Sequence, residues 1–253
     1  MSATRVRWAT VGAAAALLAL WPAPAAAGQP LSEDKRVSLM FFGGVNLSDP
    51  GKDFEDALRS ATLDDDYYPT EDGGLDQSRP TPVSEDGVWV YGMALGYALT
   101  PEWEVRVLVR GEEEVSAYGV RQPTLEGPYR VQLSLDASSV RYAALVAYRP
   151  FGSVVRLGFG PALTSAEIRA RDDWTEFPGD SDTRFGFLAE GAVTWPLGSR
   201  FFAEAAAQYW AAGEMTYGPY DVRNGIGNIQ IYFPASDYSL DRGSLTLGAG
   251  VRF

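Results

Sequence analysis

The chain alternates bulky apolar residues with small or polar ones over most of its length. The clearest example is the segment 87–101, which contains no charged side chain. Its odd positions include Trp89 and Tyr91, and its even positions include Gly92 and Ala94. A period of two places alternate side chains on opposite faces of a strand, whereas a helix has a period of 3.6. The segment therefore predicts a β-strand with one bulky apolar face.

Seven further segments show the same alternation. In all eight, the face with the bulky apolar residues carries no charge, whereas the opposite faces together carry twelve charged residues. The eight predicted strands cover residues 36–47, 88–99, 102–110, 139–148, 155–164, 184–195, 200–209 and 244–253.

Two positions depart from this regularity. Pro161 falls in the middle of a predicted strand and cannot donate a ladder hydrogen bond, so we expect a bulge there. The alternation also changes phase between Leu135 and Val140. The fourth strand is therefore expected either to start after this point or to contain a bulge.

The orientation of the two faces separates a soluble β-protein from a membrane barrel. In a soluble barrel or sandwich the bulky face packs inside and the charged face meets water. In an outer-membrane barrel the bulky face meets lipid and the charged face lines the lumen. Glycine and alanine are frequent on the charged face, where a narrow lumen crossed by arginine side chains needs small residues. This feature favours the membrane arrangement.

Two further features favour the same arrangement. Short connections near 100–101, 150–153 and 196–199 alternate with long ones. With eight strands, both termini then lie on the side of the short turns, which is the arrangement that insertion from the periplasm requires. Aromatic residues gather beside the short turns, as in an interfacial girdle. They are Tyr97, Trp103, Tyr148, Phe151, Trp195, Phe201 and Phe253.

The N-terminus predicts export. Arg5 and Arg7 precede an apolar run over 11–20, and three alanines at 25–27 provide a small-residue cleavage site. Ten apolar residues are too few to span a bilayer, which needs roughly 20. We therefore expect residues 1–27 to be a signal peptide, cleaved near Ala27, and residues 28–253 to form one domain.

The export signal, the eight alternating segments and the last segment 245–253, which ends in Phe253, resemble the small eight-stranded outer-membrane β-barrels of Gram-negative bacteria, the OmpA-like and OmpW-like barrels. The resemblance implies an all-β, eight-stranded antiparallel up-and-down transmembrane β-barrel in the outer membrane, in contact with its lipid. It also implies that Phe253 is the C-terminal assembly signal, recognised by the barrel-assembly machinery during insertion. Long extracellular loops are expected near 48–87, 111–138, 165–183 and 210–243.

Composition restricts the chemistry that the chain can perform. The 253 residues include no His and no Cys, which removes histidine bases, histidine or cysteine metal sites, thiolate catalysis and disulfides. Enzymatic barrels that act on lipid resemble this chain in fold but use a serine with a histidine base. The net charge of −12 also argues against nucleic-acid binding. We therefore predict no enzymatic activity, no catalytic residue, no cofactor and no metal site.

The charged faces predict a polar network inside the barrel. An eight-stranded barrel is just wide enough to be filled by its own side chains, and arginine forks paired with carboxylates would plug it. The predicted network comprises Glu104, Arg106, Arg110, Arg141, Arg156, Arg184, Glu190, Glu204 and Arg252. A plugged barrel would serve envelope structure or surface interaction. The excess of arginine also fits an alternative, a narrow passive channel for small solutes. Proton handling by Glu190 or Glu204 is another alternative. A soluble periplasmic barrel that binds an apolar ligand is a further alternative.

The loops suggest two further hypotheses. Segment 48–87 carries twelve acidic and three basic residues, and its Asp64–Asp66 run favours a solvated acidic loop over a divalent-cation site, because the carboxylates are not spaced as in a calcium loop. Within it, Asp53 is expected to cap a short helix over 54–60. The last loop either forms a contact surface or packs on the barrel rim. Its candidate residues are Tyr217, Tyr220, Tyr232, Tyr238, Asn224, Asn228 and Gln230.

Overall fold

The computed structural model describes most of the predicted domain. The described residues are 36–48, 53–54, 58, 62–65, 81–82, 88–112, 115–121, 131–150, 154–171, 176, 179–223 and 229–253, of which 62–65, 81–82, 115–121, 131–133, 221–223 and 229–231 are described for the backbone alone. The predicted signal peptide, Phe151, Asn224 and Asn228 lie outside the described residues, as do the side chains of Gln230 and of Asp64–Asp66.

The described chain is built almost wholly from β-strands. In chain order they are β1 (Val37–Asn46), β2 (Thr62–Asp65), β3 (Thr81–Pro82), β4 (Trp89–Ala98), β5 (Trp103–Glu112), β6 (Val115–Arg121), β7 (Val131–Tyr148), β8 (Val155–Arg171), β9 (Asp180–Pro196), β10 (Phe201–Ala211), β11 (Glu214–Tyr217), β12 (Tyr220–Arg223), β13 (Ile229–Phe233), β14 (Ser236–Ser239) and β15 (Arg242–Arg252). No helix in the described part of the chain is long and apolar enough to cross a membrane.

Eight of these strands close into a barrel. They follow the order β1, β4, β5, β7, β8, β9, β10, β15, and β15 pairs back onto β1. All neighbours are antiparallel, and each barrel strand pairs with the next one along the chain. A closed ring leaves no unpaired strand edge, which is the condition for backbone polar groups to lie in lipid. The predicted eight-stranded antiparallel up-and-down barrel is therefore confirmed.

The outer surface of the barrel is apolar and aromatic. Phe159 and Phe187 are 58% and 54% exposed, and their stacked rings lie 5.5 Å apart on neighbouring strands. Near the short turns, Trp103 and Phe201 are also exposed, as the predicted aromatic girdle requires. Charged residues at the alternate positions, such as Arg156, are buried inside. The bulky face is therefore the lipid face, which confirms the membrane arrangement and excludes a soluble barrel with this face as its core.

The apolar belt ends at one level on neighbouring strands. The outward positions of β8 change from apolar residues to Ser165 and Glu167, and those of β9 change at Thr183. Ser165 and Thr183 are register partners, and their hydroxyls lie 3.4 Å apart. The belt on β8 spans the nine residues 155–163, which matches the length that a tilted strand needs to cross a bilayer.

Three strands continue beyond this belt. β7, β8 and β9 contain 18, 17 and 17 residues, whereas β1 and β4 contain 10. At roughly 3.3 Å per residue and a tilt near 45°, the extra residues rise about 15 Å above the belt. Much of the predicted loops 111–138 and 165–183 is therefore strand. The prediction ended these strands early because the outer face becomes polar there while the ladder continues.

Both predicted irregularities take a different form. The pairs Ala143–Ala162 and Val146–Phe159 keep the same register on either side of Pro161, so the expected bulge is absent and two pairings are merely interrupted. A Cβ on Gly160 would lie 1.9 Å from the Ala144 carbonyl oxygen, which shows how closely the backbones approach there.

The phase change is neither a late start nor a bulge of the fourth strand. β7 begins at Val131, so the fourth strand does not start late, and its register against β8 is constant from Ser134 to Ala143. Gly111 pairs with Val140 and Val115 pairs with Ala137. The chain therefore advances four residues from Gly111 to Val115 but only three along β7. The extra residue therefore belongs to the connection between β5 and β6 and not to the fourth strand. The phase changes on β7 because Leu135 and Ala137, at inward positions, are buried in an apolar cluster with Ile168.

A packed cap covers the end of the barrel opposite the short turns. We define the cap as β2, β11–β14 and residues Asp53, Phe54 and Leu58; its strands form the pair β11–β14 and the sheet β12–β13–β2. The Phe54 ring lies 4.9 Å from the Tyr238 ring and 5.9 Å from the Tyr217 ring. Leu58 is also buried. The cap therefore shares one apolar core with the extensions of β7 and β8 above the lumen.

The cap decides between the two interpretations of the tyrosine-rich loop. Tyr217, Tyr220 and Tyr238 are buried, and only Tyr232, at 40%, is exposed among the four tyrosines. Burial raises the pKa of the Tyr217 and Tyr220 hydroxyls. Three of the four side chains therefore pack on the barrel rim and do not form a contact surface.

The predicted helix 54–60 lies mostly outside the described residues. Phe54 and Leu58 are helical, as is Asp53, which therefore lies in the helix. The Asp53 carboxylate accepts the backbone N–H of Ser239 at 3.1 Å. Asp53 thus ties the helical segment to the last residue of β14.

Candidate functional site

The lumen contains a charged layer near the short turns. We define the lower charged layer as Glu104, Arg106, Arg156, Glu190 and Glu204, which lie on β5, β8, β9 and β10. Arg156 donates to Glu204 Oε2 at 2.6 Å and to Glu190 Oε1 at 2.8 Å. Arg106 Nη1 lies 3.0 Å from Glu204 Oε1 and 3.3 Å from Glu190 Oε1. Two arginines therefore share two carboxylates in the dry interior.

Neighbouring groups complete this layer. Thr194 Oγ1 donates to Glu204 at 3.1 Å, and Gln208 Nε2 donates to Glu190 at 2.8 Å. Arg149 pairs with Glu104 at 2.9 Å. With Arg149 included, three positive charges face three negative ones, and Arg252 at the rim lies close enough to act on Glu104 and Glu204 as well. Such pairing is the condition under which buried charges are tolerated.

An apolar layer lies next to the lower charged layer. On β5, Leu108 separates Arg106 from Arg110 and is fully buried. Leu145 and Leu188 belong to the same buried cluster as Leu108, together with Met40 and Phe42. Gly92 and Gly248 make room for this layer, because a Cβ at Gly92 would lie 2.6 Å from the Phe42 ring and one at Gly248 would lie 3.0 Å from Met40 Sδ. The small residues predicted on the lumen face thus accommodate the side chains that fill it.

A second charged layer lies between the apolar layer and the cap. We define the upper charged layer as Arg110, Glu112, Arg141 and Arg242. Glu112 Oε1 lies 2.9 Å from both Arg110 Nη2 and Arg141 Nε, and Glu112 Oε2 lies 3.9 Å from Arg242 Nε. The side chains of all four residues are at most 4% exposed. Three guanidinium groups therefore surround one carboxylate.

Neutral groups hold the three arginines in place. Arg110 donates to Ser244 Oγ at 2.8 Å and to Asn46 Oδ1, and Arg141 donates to the Leu240 carbonyl at 2.8 Å. Arg110 and Arg141 lie 5.6 and 5.9 Å from the Trp210 ring centroid. Arg242 lies 4.9 Å over the Tyr238 ring of the cap. Aromatic faces attract cations, so these contacts stabilise the guanidiniums.

Most of the predicted network residues are brought together, in two separate groups. Glu104, Arg106, Arg156, Glu190 and Glu204 lie in the lower charged layer, and Arg110 and Arg141 lie in the upper charged layer.

The two remaining predicted members differ in their positions. Arg252 is at the rim beside the lower charged layer, with its guanidinium 4.8 Å over the Phe202 ring and close enough to act on Glu104 and Glu204. Arg184 lies where β9 leaves the apolar belt; it is half exposed and pairs with Asp182 at 2.6 Å, so its assignment to the lumen network is corrected.

Three charged lumen residues of the described chain are absent from the predicted set. Glu112, Arg149 and Arg242 continue the inward alternation of β5, β7 and β15 one step beyond the predicted strand ends. Extending each alternating segment by two residues would have found Glu112 and Arg242, and extending β7 by one would have found Arg149. Among the described residues, no group of three or more Asp, Glu, His or Cys side chains is arranged to hold a metal ion.

These layers define the class of protein. A closed eight-stranded antiparallel barrel with a lipid-facing apolar belt and a filled, charged interior is a transmembrane β-barrel of the outer-membrane type. No family model matches the sequence, and no curated protein matches it.

Solved structures with a similar fold include small outer-membrane proteins. OprG from Pseudomonas aeruginosa is 14% identical, with 87% of this chain and 97% of that chain covered and a TM-score of 0.45. Ail, the attachment invasion locus protein of Yersinia pestis, is 10% identical over 87% and 99% of the two chains, with a TM-score of 0.40. The N-terminal β-barrel domain of Pseudomonas aeruginosa OprF is 13% identical over 87% and 100%, with a TM-score of 0.37.

Proposed function

We propose that this chain is a sealed, non-enzymatic barrel of the outer membrane that serves envelope structure or surface interaction. The observation that carries the proposal is the filling of the lumen by the lower charged layer, the apolar layer, the upper charged layer and the cap in succession. An ion that crossed the barrel would have to separate buried ion pairs and pass a dry apolar layer. Breaking a buried pair without replacing its partner costs about 3–5 kcal/mol, which opposes spontaneous opening.

A narrow anion path is the second candidate function. Three arginines against one glutamate in the upper charged layer favour it, because positive potential attracts anions. The lower charged layer opposes it, since three carboxylates balance three arginines there. We therefore place the sealed barrel first.

The part of the chain beyond the belt supports a role at the surface. The cap and the extensions of β7, β8 and β9 form an ordered structure above the membrane. Its outward positions are polar, as at Glu167 and Arg169, which form an ion pair at 2.8 Å. Under this proposal the rigid barrel anchors that structure. Among the described residues, no arrangement of side chains identifies a ligand for this surface structure.

Phe253 retains its proposed role in assembly. Its backbone N–H donates to the Val37 carbonyl at 2.9 Å, so the last residue closes the barrel against the first strand. Its side chain is 62% exposed on the lipid face. An exposed terminal aromatic on the closing strand is accessible to the assembly machinery, which we propose as its partner before closure.

Electrical recording tests the sealed lumen. Purified barrel is reconstituted into planar bilayers in 1 M NaCl, and insertion is verified by the heat-modifiable gel shift of the same vesicles. We expect no conductance steps above those of protein-free detergent, because buried apolar side chains such as Leu108 and Leu188 lie across the path of an ion. Reproducible steps that select for chloride over sodium would contradict the sealed barrel and favour the anion path.

A further inference from the structure

The upper charged layer contains more positive charge than the described residues around it neutralise. Arg110, Arg141 and Arg242 face a single carboxylate, Glu112, and all four side chains are at most 4% exposed. The next carboxylate close enough to act on Arg242 is Asp53 in the cap, which already accepts the Ser239 N–H. Among the described residues, even with Asp53 counted, one positive charge is in excess. An uncompensated charge in a dry interior is strongly unfavourable, so a counter-charge is expected.

The same layer contains buried donors that meet no acceptor. Among the described residues, Arg141 Nη2, Arg242 Nη2 and Asn46 Nδ2 are buried and have no hydrogen-bond partner. Buried polar groups in native proteins are nearly always paired, with protein, water or a ligand. The excess charge and the unpaired N–H groups lie in one cluster. A single negatively charged hydrogen-bond acceptor would satisfy both.

We infer that the upper charged layer binds a small inorganic anion of the size of chloride, held by Arg141, Arg242 and Asn46. Arg141 Nη1 donates to the Leu240 carbonyl, and Arg242 Nη1 donates to the Asp241 carbonyl. Arg141 Nε lies 2.9 Å from Glu112 Oε1, so the donors that face no protein group come from three separate residues, as Nη2 of Arg141, Nη2 of Arg242 and Nδ2 of Asn46. Separate donors from several residues suit a spherical ion. The anion completes the plug and is enclosed between the apolar layer and the cap.

Refolding in two salts tests the site. The barrel is refolded from urea into detergent in sodium chloride or in sodium gluconate at equal ionic strength, because gluconate is a much larger anion than the chloride-sized ion proposed here. We expect the thermal midpoint to be higher in chloride by about 5 °C, the shift that corresponds to a ligand well above its dissociation constant. Equal midpoints in the two salts would overturn the proposal.

An isosteric substitution supplies the missing charge from the protein itself. Asn46→Asp places a carboxylate beside Arg110 without changing side-chain size, and it should abolish the chloride dependence and raise the midpoint in gluconate above that of the native chain. Arg184→Gln is the matched control, because Arg184 lies outside the lumen layers, and it should keep the full chloride effect. A chloride effect that Asn46→Asp leaves intact would indicate salt binding elsewhere and would contradict the site.

Crystallography provides a test that does not depend on any variant. Native barrel refolded and crystallised in sodium bromide should show an anomalous peak within hydrogen-bonding distance of Arg141 Nη2. A map with no bromide peak in the upper charged layer would overturn the proposal even if Asn46→Asp failed to fold.

Discussion

Replacing Arg156 with glutamine is expected to lower the free energy of unfolding by about 3–5 kcal/mol, the range for removing one member of a buried ion pair. Arg156 contacts both Glu204 and Glu190 at 2.6–2.8 Å, and its side chain is 1% exposed. Glutamine would leave two carboxylates facing Arg106 alone in a dry environment. Urea unfolding of the barrel refolded in detergent, followed by tryptophan fluorescence, measures the loss.

Two variants show whether charge causes this loss. Arg184→Gln breaks an exposed arginine–aspartate pair, and exposed pairs contribute about 0–1 kcal/mol, so it should have little effect. The double variant Arg156→Gln, Glu204→Gln removes one charge of each sign and should recover much of the stability. A single Arg156→Gln variant no less stable than Arg184→Gln would show that the lower charged layer does not hold the barrel together.

Glu112→Gln is expected to have a comparable effect for the opposite electrostatic reason. Glu112 is the carboxylate that three buried arginines share, so its neutralisation leaves three like charges in the upper charged layer. We expect a loss of about 3–5 kcal/mol in the free energy of unfolding. The measurement is the same urea titration. Glu214→Gln, the same substitution at an exposed position of β11, is the control.

A second carboxylate in the same layer should reverse this loss. Asn46 already accepts a hydrogen bond from Arg110, which also contacts Glu112. In the Glu112→Gln background, Asn46→Asp restores a negative charge beside Arg110, and part of the lost stability should return. If the double variant is no more stable than Glu112→Gln, the cost comes from hydrogen-bond geometry and not from the charge balance argued here.

The alternation of residues was sufficient to predict which face of each strand meets lipid. Phe159 and Phe187 lie outside and Arg156 and Glu190 lie inside because a pleated strand separates neighbours onto opposite faces. The same signal underestimated strand length. Beyond Ser165 and its neighbours the outward residues are polar, since water replaces lipid, although the ladder of β8 continues to Arg171.

The partners inside the lumen were beyond prediction from the sequence. Arg106 and Glu204 are 98 residues apart, and their 3.0 Å contact depends on how strands on opposite sides of the barrel are staggered. Periodicity identifies the inward face of each strand and says nothing about this stagger. It also could not show that Arg110 and Arg141 would share Glu112, which lies one step past the predicted strand end. The separation of the charged residues into two layers is thus a property of the closed barrel.

Heat-modifiability on a gel tests the central claim most directly. The outer-membrane fraction is extracted with detergent and run with and without boiling, beside the soluble periplasmic extract. A closed transmembrane barrel held by buried ion pairs should be confined to the membrane fraction and should migrate differently when unboiled, because it resists unfolding in the gel detergent. A protein found in the soluble extract, or one with a single mobility in both samples, would contradict a closed barrel with its apolar face in lipid.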